Sequence, residues 1–160
     1  MLRKLISGGQ TGIDRGALDA ALSRAFPCGG WCPRGRRAED GPIPARYPLT
    51  ELDSANYLDR TRRNVAEADA TLILAHGPLS GGTKATEKHA RKTGKRFLTL
   101  DLDGVSAAQA VARICAWIET ERIGVLNVAG PRESSRPGTS AAAADLLGAV
   151  LDRVSSSSRS

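Results

Sequence analysis

The sequence predicts an α/β domain built on a mainly parallel sheet, and three observations carry that expectation. Short apolar runs alternate with stretches of helical periodicity, the pattern of βαβ units. The runs are continuously apolar rather than alternating, as strands covered by helices on both faces must be. Three of the five runs end in glycine-rich loops, where a parallel strand would turn into its next helix. A length of 160 residues fits one domain, assigned to residues 1–154, with a polar tail over 155–160.

The elements follow in order. Leu2 to Ile6 reads as a strand that stops at Ser7-Gly8-Gly9. Ile13 to Ala25 reads as a helix, with Ile13, Ala17, Leu18, Ala21 and Leu22 on one face. Gly29 to Cys32 reads as a short second strand. Pro33 to Leu52 has no periodicity and holds four of the eight prolines; a loop this long is usually functional. Ser54 caps a predicted helix to about Ala68, with Tyr57, Leu58, Thr61 and Val65 inward. Thr71 to Ala75 is a buried strand, followed by a helix from Gly82 to Lys92 that Gly94 stops. Arg96 to Leu100 is the next strand, and Val111, Ile114, Cys115 and Ile118 stripe the next helix. Val125 to Val128 is the last strand, and a final helix covers Thr139 to Val154.

Composition narrows the function. Hydrophobic content of 41% and charged content of 25% describe a folded globular chain. Aromatics are only 4%, which argues against the stacking platforms of single-strand nucleic-acid binders. The net charge of +6 is spread along the chain among acids, so it points to phosphate-bearing ligands rather than to a nucleic-acid partner. Cys28, Cys32 and Cys115 make an odd count, which is no disulfide framework. No signal segment and no membrane-spanning apolar run is present, so the expected compartment is the cytoplasm.

The three glycine-rich loops are SGGQTGID (Ser7 to Asp14), HGPLSGGTKAT (His76 to Thr86) and NVAGPRESSRPG (Asn127 to Gly138). In a parallel sheet all three emerge on one edge, which favours a ligand site there. Two lead straight into helices, whose free N–H groups and dipole suit an anion. Ser7, Thr11, Ser80, Thr83, Ser134 and Ser135 add hydroxyls. Asp14 is either a first-turn acid favoured by the helix dipole or an acceptor for ring N–H groups. Arg34, Arg36 and Arg37 either clamp phosphate or form a solvated basic loop, with Glu39 and Asp40 as their partners.

Familiar nucleotide motifs fail. SGGQTG places Gln10 where a dinucleotide fingerprint needs its middle glycine, and GPLSGGTK reverses the order of a P-loop's lysine and hydroxyl. No zinc pattern or nucleophile elbow is present; the thiols read as buried and the two histidines as structural.

SGGQTGIDRGALDAAL, GWCPRGRRAEDGPIPARYPLTE, TLIL with GPLSGGT, and VLNVAGPRES with its following PG together resemble the molybdenum cofactor carrier family, from about Leu2 to Val154. That family lies in the superfamily that also holds the Lonely Guy-type phosphoribohydrolases. The resemblance implies a Rossmann-like three-layer sandwich that binds the molybdenum cofactor (molybdopterin), protects it and passes it to acceptor enzymes. It implies a carrier rather than a catalyst, with no catalytic or metal-ligating residues. A homo-oligomer is expected besides, and an exposed Trp31 or Trp117 would mark a subunit face. By resemblance Gly8, Gly9, Thr11 and Gly12 form one cradle, and Ser80, Gly81, Gly82 and Thr83 a second. Ser7 and Asp14 stand with the first, and Arg34, Arg36 and Ser134 are loop contacts. The rival readings are a Lonely Guy-like nucleoside monophosphate hydrolase, with LSGGTKATE and its Glu87 in place of the P-G-G-x-G-T-x-x-E loop, and a nucleotide-sensing module.

Overall fold

A computed structural model describes residues 1–157. The elements are β1 (Lys4–Ile6), α1 (Ile13–Leu22), β2 (Cys28–Gly29), β3 (Trp31–Cys32), a 3-10 turn (Arg34–Arg36), β4 (Arg37–Ala38), β5 (Gly41–Pro42) and β6 (Thr50–Glu51). They continue with α2 (Tyr57–Glu67), β7 (Ala70–Ala75), α3 (Gly81–Lys92), β8 (Arg96–Asp101), α4 (Ala107–Thr120), β9 (Val125–Ala129) and α5 (Thr139–Ser157). The main sheet has five strands in the order β2-β1-β9-β7-β8, every pair parallel. Helices α1, α4 and α5 pack together, and α2 packs on α3, giving the expected sandwich.

The core follows from the apolar runs. Leu72, Ile73 and Leu74 of β7, Leu126 of β9 and Leu5 of β1 are buried between the helix layers, with Leu18 of α1, Ile114 of α4 and Leu147 of α5 among the residues against them. Gly16 lets α1 lie directly on α5: a Cβ there would strike the Ser140 carbonyl oxygen. Ser106 and Gln109 close a capping box at the start of α4, fixing that helix's first turn.

Several elements depart from the sequence expectation for identifiable reasons. α1 ends at Leu22, because Ala25 takes φ of +49° and Phe26 N–H turns back to the Ala21 carbonyl; Leu22 faces outward. Gly29 to Cys32 is two strands rather than one. Gly30, at φ +128° and pressed against the Ser7 carbonyl, swings the chain out of the main sheet so that β3 pairs with β6. Asn56, not Ser54, caps α2, accepting from Leu58 N–H at 2.9 Å. Its buried face carries Arg60 and Asn64 beside Val65, while Leu58 is exposed. α5 runs to Ser157, past the expected end at Val154; residues 158–160 of the expected tail lie outside the described residues.

The aperiodic 33–52 segment is held by one side chain. The Arg36 guanidinium donates to the carbonyls of Ile43 (2.9 Å), Pro44 (2.8 Å), Tyr47 (2.9 Å) and Leu49 (3.3 Å). Tyr47 is buried below, donating to Asp19 at 2.8 Å. Arg36→Ala strips the donor from all these carbonyls and is expected to cost about 2–4 kcal/mol. Urea denaturation and proteolytic nicking within the segment would measure it.

Candidate functional site

The carboxyl ends of β1, β7 and β9 lie on one edge of the sheet, because all five strands run parallel. Between their loops and α2 sits a cleft of about 380 Å³, within the range of small-molecule sites. It opens where the chain's connections diverge, from β1 toward β2 and from β7 toward β8, the switch point at which such sheets take ligands.

The first loop supplies Gly8, Gln10 and Asp14 to the cleft. Gly8 leaves room for Arg60, whose Nη1 donates to the Gly8 carbonyl at 2.8 Å and lies 3.8 Å from the Asp14 carboxylate. Asp14 is 7% exposed and accepts from Gln10 N–H at 3.2 Å. Burial pushes its pKa up from 3.8 to about 6, against the opposing pull of Arg60. The unfolded chain therefore releases this proton at lower pH than the folded one, and stability falls as pH rises through that interval. The full penalty, on the order of 3 kcal/mol, is present above about pH 6. Asp14→Asn does not titrate, so it is expected to gain that much on the wild type between about pH 4 and about pH 7.5. Urea midpoints at the two pH values would show it.

The other first-loop candidates do not line the cleft; they shape the loop. The Ser7 hydroxyl donates to the Asp14 carbonyl at 3.0 Å. Gly9 packs against Leu49 and Ile43. The Thr11 hydroxyl donates to Glu39 and accepts from Glu133 N–H at 3.2 Å. Gly12, at φ +81°, passes against the Pro131 carbonyl.

From the second loop Ser80, Gly81, Gly82 and Thr83 all line the cleft. The Ser80 side chain makes no capping bond, and the space beside Gly81 and Gly82 is open. The first-turn N–H groups of α3 are thus presented beside the cleft. From the third loop, Asn127 to Arg132 and Ser134 line it. Ser134 also donates to Glu39 at 2.6 Å, so Glu39 ties the first and third loops together.

The arginine expectation needs correction. Arg34 is exposed and outside the cleft, and Arg36 is engaged with the carbonyls described above. Arg37 lies on the Tyr57 ring at 4.6 Å. The cations that do line the cleft are Arg60 and Arg132, 5.6 and 5.2 Å from the same ring. Glu39 and Asp40 do not pair with Arg34, Arg36 or Arg37; Asp40 pairs with Arg15. Cys28 is only half-buried, whereas Cys32 and Cys115 are buried; all three are free thiols.

Sequence reasoning missed Gln10, Tyr57, Arg60, Asn64, Asn127 and Arg132. Tyr57, Arg60 and Asn64 share one helical face, a spacing readable in advance, but hydrophobic periodicity looks past a polar stripe. Asn127 stands out as the amide within an apolar strand, where its Nδ2 donates to Thr71 at 3.2 Å.

Glu87 lies outside the cleft, accepting from Thr99 at 2.7 Å and facing Arg91 at 3.4 Å. His76 is held between Asp103 (3.0 Å) and Thr139 (3.1 Å). Among the described residues no cluster of three or more His, Cys, Asp or Glu could hold a metal ion, and no helix is long and apolar enough to cross a membrane.

Fold and cleft define a Rossmann-like α/β domain with a polar, ligand-sized cleft at its switch point. The chain belongs to the circularly permutated YpsA SLOG family, whose model matches residues 5–151. It is also similar, at 45% identity and a TM-score of 0.91, to a crystal structure of a "putative molybdenum carrier protein" from Syntrophus aciditrophicus SB, over 94% of this chain and 95% of that one. A comparison with curated proteins finds no match.

Proposed function

We propose that the protein binds the molybdenum cofactor in this cleft, shields it and hands it to acceptor enzymes. One observation carries the reading: a single cleft joins an open helix start, two arginines and a buried carboxyl beside an amide whose nitrogen has no partner. The open start of α3 suits the cofactor's terminal phosphate, as does positive charge from Arg60 and Arg132. Asp14 suits the N–H edge of the pterin. The name of the similar Syntrophus protein, a molybdenum carrier, supports a molybdenum-bearing cargo. Cytoplasmic residence and self-association belong to this proposal.

The phosphoribohydrolase reading has less support, since its acid would be Glu87, which is engaged by Thr99 outside the cleft. Glu87→Gln is expected to leave cofactor retention unchanged, with no hydrolysis of nucleoside monophosphates in either protein. Anaerobic purification from a cofactor-producing host tests the main proposal. Molybdenum, phosphorus and a pterin absorbance should co-elute with the protein; their absence would refute it.

A further inference from the structure

Gln10 is 5% exposed and lies on the cleft wall. Its Oε1 accepts from Thr11 N–H at 3.1 Å and from Glu39 N–H at 2.9 Å. Turning the amide over would set its NH2 against two N–H groups, so its orientation is fixed. The Nε2 that remains has no partner, and among the described residues it is the one buried side-chain nitrogen or oxygen in that condition. Such a group is costly and calls for something that completes it.

The neighbouring group is an acceptor. Asp14 also lines the cleft, and its carboxylate is held beside Gln10 by the Gln10 N–H at 3.2 Å. Arg60, 3.8 Å away, balances its charge. The wall of the cleft thus offers a donor and, next to it, an acceptor. A ring completes both if it carries a carbonyl oxygen adjacent to an N–H, with an exocyclic amino group beyond. Adenine offers the reverse, an amino group toward the Gln10 donor and a bare ring nitrogen toward the carboxylate.

We infer that Gln10 and Asp14 read the lactam edge of a 2-amino-4-oxopyrimidine ring, the edge shared by pterins and guanine, so that the cleft selects such rings over adenine-type ones. The inference rests on the cofactor reading in placing a heterocycle at this end of the cleft. It goes further in naming the donor and in requiring discrimination among bases.

The test measures binding of guanosine, inosine, xanthosine and adenosine monophosphates to the wild-type chain at neutral pH, with free pterin and its 2-oxo analogue lumazine as a second pair. Guanosine monophosphate and pterin are expected to bind best in their sets. Adenosine monophosphate should be weaker by roughly 10- to 100-fold, and inosine monophosphate, which lacks the amino group, intermediate. Asp14→Asn turns part of the acceptor into a donor, so it should bind xanthosine monophosphate and lumazine ahead of guanosine monophosphate and pterin. Gln10→Glu keeps the oxygen that Thr11 and Glu39 use but removes the donor, and should narrow the guanosine–adenosine gap. Thermal melts check that both variants fold, and the wild-type series needs neither. Equal binding of guanosine and adenosine monophosphates overturns the inference, as does no binding of any base at millimolar concentration, or an unchanged order in folded Asp14→Asn. Protein that co-purifies with molybdenum but shows no base order would sink this inference and leave the carrier reading intact. A base order in protein that never retains molybdenum would do the opposite.

Discussion

If the proposed carrier role is right, Gly82→Val protein is expected to melt close to the wild type and to emerge from purification without the molybdenum cofactor. Gly82 sits in the exposed first turn of α3, and apart from its chain neighbours and the backbone of its own helix no heavy atom lies within 4 Å of the position a Cβ would take. Its φ is not left-handed, so the backbone accepts a side chain. Helix propensity changes by less than about 1 kcal/mol between these residues. The new methyl groups would instead occupy the cleft, where an anion would approach the helix N–H groups. Retention should fall by at least roughly tenfold, the scale of losing a charge-assisted hydrogen bond. Gly81 would be a poor substitute for this experiment, because its φ of +51° strains any side chain and confounds fold with binding. Metal analysis beside a thermal melt decides the matter. A stable Gly82→Val protein that keeps its molybdenum would show that the phosphate does not sit at the start of α3.

Gly12→Ala should produce the opposite result, a protein that fails to fold although Gly12 itself does not line the cleft. A Cβ at this position would collide with the Pro131 carbonyl and come within 2.7 Å of Arg132 C and Glu133 N. All three are backbone atoms, with no flexible side chain to yield. The φ of +81° adds strain of its own. The two loops are bonded at the same place, by Ile13 N–H to the Pro131 carbonyl at 3.2 Å and by Glu133 N–H to Thr11 at 3.2 Å. Forcing them apart should cost at least about 4 kcal/mol, a large share of the stability of an ordinary domain. Thr11→Val, which loses only hydrogen bonds, should cost about 1–2 kcal/mol. Chemical denaturation of both proteins, or recovery of Gly12→Ala only in the insoluble fraction, would settle the ranking. A soluble Gly12→Ala protein with a wild-type midpoint would refute it.

The parallel sheet was readable because β7 and β9 are mostly apolar and run into glycine-containing loops, a local signal. The glycine-rich start of α3 was readable for the same reason, since Ser80 to Thr83 open a helix directly. What escaped was whatever depends on distant chain segments. Gln10 was visible only as the residue that spoils a glycine motif; that its oxygen is used and its nitrogen is not depends on Glu39, 29 residues away. Arg36 sits in a cluster of charge that reads as a phosphate clamp, yet its guanidinium faces carbonyls brought round by the turn at Pro44 and Tyr47. Thr11 and Gly12 lie in a ligand-type loop, and only the docking of the third loop shows that they face protein. Periodicity reports apolar faces, so of the polar stripe of α2 that walls the cleft it marked Tyr57 as inward and passed over Arg60 and Asn64.

The placement of β9 has a consequence for how the chain is made. It is the last strand to leave the ribosome, yet it lies between β1 and β7, pairing Lys4 with Val125 on one side and Ala70 with Leu126 on the other. The first helix waits as well, since Gly16 lies against Ser140. Until the final third of the chain has been synthesised, the nascent protein holds two unconnected half-sheets, β2-β1 and β7-β8, each with an open apolar edge. Such edges invite pairing with other chains. The cleft is framed by loops from both halves, so it comes into being in the same late step that joins them, and a chain shortened before β9 cannot complete it.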